Sequence, residues 1–196
     1  LNNYLEQEVV MSTGANIYQM YGKCSSKERI DLIYTNYSQF EGIIKGCEAK
    51  LIYEIEAEQE YNRQSRKGDL GVRIQNIGHY SDKTANQAVA YVMLEQEVDL
   101  DELSDSALKD VVNKTEFIQK HRVLRMMRME YRCFNGQLQM LSRENQKIIL
   151  PYLRHEKNTW DVAEELQVPF ETAKKRIYRI RKQIVTGLLD EFVEKL

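Results

Sequence analysis

Apolar side chains recur along this chain at intervals of three and four, the spacing that puts them on one face of a helix. Ile30, Ile33, Tyr37, Phe40, Ile44, Cys47 and Leu51 follow a 3-4-3-4-3-4 order, a heptad seam of about three repeats. Ser25-Ser26-Lys27-Glu28 ahead of it has the pattern of a capping box and predicts one long helix running to about Arg66. Glu54 and Glu58 then fall on the seam, and Ile55 points to a shifted apolar face. The segment reads equally as a self-association helix or as a core helix of a monomeric bundle. Gly42 and Gly46, four apart in mid-helix, cost about 1 kcal/mol each and suit a close approach by another helix.

Elsewhere the period is again helical. Residues 2–11 predict a short helix. Residues 66–82 hold three of the nine glycines and predict a flexible loop. A helix capped by Ser81 or Asp82 follows to about Glu97, with Ala85, Ala88, Val89, Val92 and Met93 as its apolar face. Ser104 or Asp105 opens a third long helix to about Phe134, where Asn135-Gly136 predicts a left-handed stop. Two prolines among 196 residues, with helix formers dominant, give an all-α fold class. The expected layout is a long-helix bundle or coiled-coil part over residues 1–136, followed by a DNA-binding domain over 137–196.

That second domain rests on Thr159 to Lys182. Val162, Ala163 and Leu166 make one face of a short helix, with Thr159 as its expected N-cap. Gln167-Val168-Pro169 interrupts the run, and the fixed φ of proline suits the start of a new helix. Ala173, Ile177, Ile180 and Ile184 then form a buried stripe. Opposite lie Glu171, Lys175, Tyr178 and Lys182, flanked by Phe170, Lys174, Arg179 and Arg181. An apolar back with a basic, hydrogen-bonding front suits entry between two walls of phosphate.

From Leu141 to about Ile184 the chain resembles region 4 of sigma-70-type factors and the related response-regulator helix-turn-helix proteins. The residues that carry it are Leu141-Ser142-Arg143-Glu144, Ala163-Glu164-Glu165-Leu166 and Val168 through Ile177. The resemblance implies base contacts from Phe170, Glu171, Thr172, Lys174 and Lys175. The expected phosphate contacts are Thr159, Trp160, Arg176, Tyr178, Arg179, Arg181 and Lys182, the last three because they lie further along the helix. One departure is Pro151, inside what should be the first helix, which predicts a kink or an early end there.

Charge adds to this picture by its distribution. The net formal charge is only −2. Carboxylates gather at Glu41, Glu48, Glu54, Glu56, Glu58 and Glu60, whereas Lys120, Arg122, Arg125, Arg128 and Arg132 face only Glu130 in their stretch. An acidic front and a basic back suit a protein that holds DNA with one end. Arg122, Arg125, Arg128 and Arg132 form a candidate second basic face. Cys24, Cys47 and Cys133, and three scattered histidines, have no zinc-ligand spacing, so no metal or other cofactor is expected.

Gly68 to Val89, with Asp82-Lys83-Thr84-Ala85 at its centre, resembles the front half of phage late-gene transcription regulators of the RinA and ArpU type. In those proteins this element precedes a C-terminus similar to sigma region 4. The expected function is therefore a sequence-specific transcription regulator of phage or prophage origin and not an enzyme. Its expected partners are double-stranded DNA, host RNA polymerase and further copies of itself. It is expected to be cytoplasmic and without membrane contact. A free-standing sigma-like factor and a small-terminase-like packaging protein are the alternatives.

Overall fold

A computed structural model of the chain describes residues 14–68, 83–100 and 102–193. Among these there are eight helices and no strand, so the fold is all-α. The helices are α1 (Gly14–Tyr21), α2 (Ser26–Thr35), α3 (Tyr37–Gly68), α4 (Lys83–Asp99), α5 (Lys114–Met140), α6 (Arg143–Leu153), α7 (Thr159–Glu165) and α8 (Phe170–Val193). The expected helix at residues 2–11, the caps at Ser81 or Asp82 and most of the 66–82 loop lie outside the described residues. The described residues form two compact units, and α3 and α5 contribute to both. One combines residues 14–44 with residues 126–193, and the other holds the described residues of 45–125.

The first unit is not the C-terminal segment alone, and residue 136 is not a boundary. α5 passes through Asn135 and Gly136 without a left-handed residue. Burial of Phe134 and Leu138 on either side outweighs the cost of about 1 kcal/mol for a helical glycine. Asn135 Oδ1 also accepts from the Tyr37 hydroxyl at 2.9 Å, which fixes it in the helix. Around this point Tyr21, Tyr34, Tyr37, Phe40, Tyr131 and Phe134 make tilted and edge-on ring contacts. Glu130 is buried beneath them, where Tyr21 donates its hydroxyl proton to it. Arg29 Nε reaches both Glu130 oxygens at 2.9 Å, so the buried charge is paired and hydrogen-bonded.

The predicted capping box is present. The Ser25 hydroxyl accepts from the Glu28 amide, and Glu28 returns a carboxylate to the Ser25 amide at 2.7 Å. The helix it opens ends at Thr35 rather than near Arg66. Asn36 turns its side-chain amide onto the Leu32 carbonyl at 2.9 Å, a local bond that competes with the backbone ladder, and α3 restarts at Tyr37. The seam is spent inside the chain: Ile30, Ile33, Phe40 and Ile44 are buried within the first unit, and Cys47 and Leu51, with Ile52 and Ile55 on the shifted face, are buried within the second. A Cβ at Gly42 or Gly46 would meet nothing within 4 Å, so among the described residues no helix makes the expected close approach.

Two further expectations change in the second unit. The apolar face assigned to α4 points outward at Val89, Val92 and Met93, while Leu94 and Val98 on the other side are buried. α5 begins at Lys114 rather than at Ser104 or Asp105. The Ser104 hydroxyl caps only a short turn, by accepting from the Ala107 amide at 3.1 Å. Asp110 then takes a φ of 66°, and Glu58 accepts the amides of Val112 and Asn113 at 2.7 and 3.2 Å before α5 starts.

Candidate nucleic-acid interface

The unit from α6 to α8 is built by three local devices. Ser142 caps α6 by accepting from the Asn145 amide. Pro151 sits in the last turn of α6, which runs two residues beyond it, so the proline neither ends the helix at Leu150 nor interrupts its middle. Its carbonyl accepts from Glu156 and Lys157 at 2.9 and 3.3 Å, closing the helix over His155, whose φ is 58°. The residue that threatened the helix therefore anchors its C-cap. α7 is capped by Asn158, not Thr159. The Asn158 side chain accepts from Trp160 and Asp161, and Asp161 bonds back to the Asn158 amide at 2.7 Å. Thr159 is the first helical residue.

The turn between α7 and α8 has a specific closure. Gln167 adopts a φ of 53° and donates its amide to Glu164, while Val168 donates to Ala163 at 3.0 Å. This is the paired bonding of a left-handed helix stop, made here by glutamine where glycine is the usual choice. Pro169 then caps α8 through its carbonyl, which accepts from Thr172 and Ala173. Val162 and Ala163 of α7 and Ala173, Ile177, Ile180 and Ile184 of α8 are buried, as the apolar faces predict; Leu166 is only half-buried, and Leu188 extends the buried stripe by one turn.

The opposite side of α8 is open. Glu171, Lys175, Tyr178 and Lys182 are exposed at i, i+4, i+7 and i+11, with Thr172, Lys174 and Arg179 exposed beside them. Between Phe170 and Lys182 there are six cations and one carboxylate. They do not all remain available. Arg176 bonds to Glu144 of α6 at 3.2 Å. Arg181 reaches Asp31 of α2 at 2.8 Å and lies 4.7 Å from the centre of the Tyr34 ring. Burial pushes the Tyr34 phenol above its ordinary range, so this ring stays neutral beneath the guanidinium. Of the seven phosphate-contacting residues expected, Arg176 and Arg181 are thus held by their own chain, while Tyr178, Arg179 and Lys182 face solvent.

Trp160 and Phe170 behave as one object. Trp160 is 68% exposed, and its ring centre is 4.2 Å from that of Phe170, which is half-buried by the contact. Sequence reasoning placed one on phosphate and the other on bases. The stacking was legible only from the turn length that brings the first turns of α7 and α8 together.

The second basic face is not a free row. Arg122 and Arg132 are exposed on α5, but Arg125 and Arg128 are half-buried and each engages a partner in the chain. The four also divide between the two compact units. Among the described residues no group of His, Cys, Asp and Glu is placed to hold a metal ion. No described helix is long and apolar enough to cross a membrane. Comparison with protein-family models, curated proteins and solved structures finds no match.

Proposed function

We propose that the chain is a sequence-specific, cytoplasmic DNA-binding transcription regulator that lays the first turns of α8 in the major groove. One observation carries the reading: a capped two-helix unit with a buried aliphatic stripe presents Lys175, Tyr178 and Lys182 opposite that stripe, flanked by Lys174 and Arg179, with no ion pair from these cations to their own chain among the described residues. A merely solvated face would be expected to balance its charges at i and i+4. Here a single carboxylate, Glu171, accompanies them, at the helix start where it complements the dipole. In this reading Phe170, Glu171, Thr172, Lys174 and Lys175 are placed to meet base edges, and the cations further along meet phosphate. The resemblance to phage late-gene regulators accords with it, as does assembly into a homo-oligomer that doubles the contacted site.

Selection of bound duplexes from a random pool by the purified chain tests the proposal. Wild type is expected to enrich one motif. Changing Lys174 and Lys175 together to alanine should abolish that enrichment, since each good base contact contributes roughly 1–3 kcal/mol of discrimination. Circular dichroism of the variant should match wild type, because both side chains are exposed. Survival of specific binding in the double variant would show that α8 is not the reading helix. A single asymmetric element in the enriched pool would favour a free-standing sigma-like factor.

A further inference from the structure

We infer that the stacked pair Trp160–Phe170 reads thymine, by packing against its C5-methyl group at the groove edge. The inference rests on the proposal that α8 enters the major groove. Trp160 lies in the first turn of α7 and Phe170 is the first residue of α8, so the stack joins the two helix starts. When a recognition helix enters the groove with its N-terminal residues, that edge is turned toward the duplex. Glu171, Thr172 and Lys174, exposed next to Phe170, share the position. What the rings offer there is apolar surface with a single donor, the indole N–H. Among the four bases the apolar feature in the major groove is the thymine methyl, and phenylalanine is one of the side chains that meets it. Exposing Trp160 to 68% has no folding rationale, since the ring buries little against its own chain. Stacking on Phe170 restrains both rings before any DNA arrives, which lowers the ordering cost of such a contact.

The chain contains one tryptophan, so its emission reports this position alone. The experiment uses the full chain and its pool-selected duplex, with each thymine replaced in turn by deoxyuridine, which lacks only the methyl. Wild type is expected to shift its emission to the blue or be quenched on binding. It should also bind about fourfold more weakly at one or two of the substituted positions, the weight of one buried methyl. In Trp160→Ala that penalty should shrink, and in Trp160→Phe, which keeps a stacked ring, it should persist. The salt dependence of all three should be the same, since no charge is changed. Specific binding with unchanged emission and a flat deoxyuridine scan would overturn the thymine contact while leaving the helix in the groove. Failure to enrich any duplex would remove the underlying reading and this inference with it.

Discussion

Arg179, Arg181 and Lys182 are consecutive or nearly so on one basic helix, yet their neighbours give them different tasks. Arg181 is engaged twice, by the Asp31 carboxylate and the Tyr34 ring, so it ties α8 to α2. Among the described residues Arg179 and Lys182 have no such partner, and both are exposed. Neutralising either of the latter should weaken binding to all sequences alike and flatten the salt slope by about one unit. Arg181→Ala should leave that slope nearly unchanged and instead lower stability by about 1 kcal/mol, the scale of a half-exposed ion pair with a cation–π contact. Titrating salt against binding, beside denaturant melts of the three variants, checks both halves. A full unit of slope lost from Arg181→Ala would show that the ion pair opens on DNA.

At the scale of elements, what was legible in the sequence divides along a physical line. The buried stripe of α8, the interruption at Gln167-Val168-Pro169 and the capping box at Ser25 are set by residues within a turn or two of each other, and all are found. The errors lie where a distant side chain decides. Asn135-Gly136 reads as a stop until Tyr37 bonds to Asn135. Ser104 reads as the start of a long helix until Glu58 takes the amides of Val112 and Asn113. The heptad seam is the instructive case, because its period does not say whose surface covers it. Ile44 is buried in the core, so Ile44→Asp should put an unpaired charge there and unfold the chain rather than split an oligomer. Gly46→Ala, in open space two residues on, should add up to about 1 kcal/mol. Thermal melts at several protein concentrations separate the outcomes: a concentration-dependent transition lost in a still-folded Ile44 variant would restore the seam as an interface.

For the molecule as a whole, the unsettled term is where a homo-oligomer would join, now that α2 and α3 offer no free seam. A lone helix-turn-helix holds few phosphates, and two linked units gain by turning the second binding event into an intramolecular one. Among the described residues, Val89, Val92 and Met93 of α4 leave an apolar row exposed, opposite the buried Leu94 and Val98. A helix apolar on two sides is ordinarily covered on both. From Thr84 to Leu94 the sequence has no charged residue, so two copies of α4 can meet across a two-fold axis without like-charge repulsion. Val92→Glu would place a carboxylate in that contact at little cost to the isolated chain, where the position is 48% exposed. Sedimentation should therefore show an oligomer for wild type and a monomer for the variant, with equal melting of the separated chains. Binding to a duplex carrying two half-sites should fall in the variant, while binding to a single half-site stays as it was. A wild type that sediments as a monomer at every concentration, and that binds single and paired half-sites with the affinities of independent units, would remove self-association from the proposed function and leave α8 to act alone.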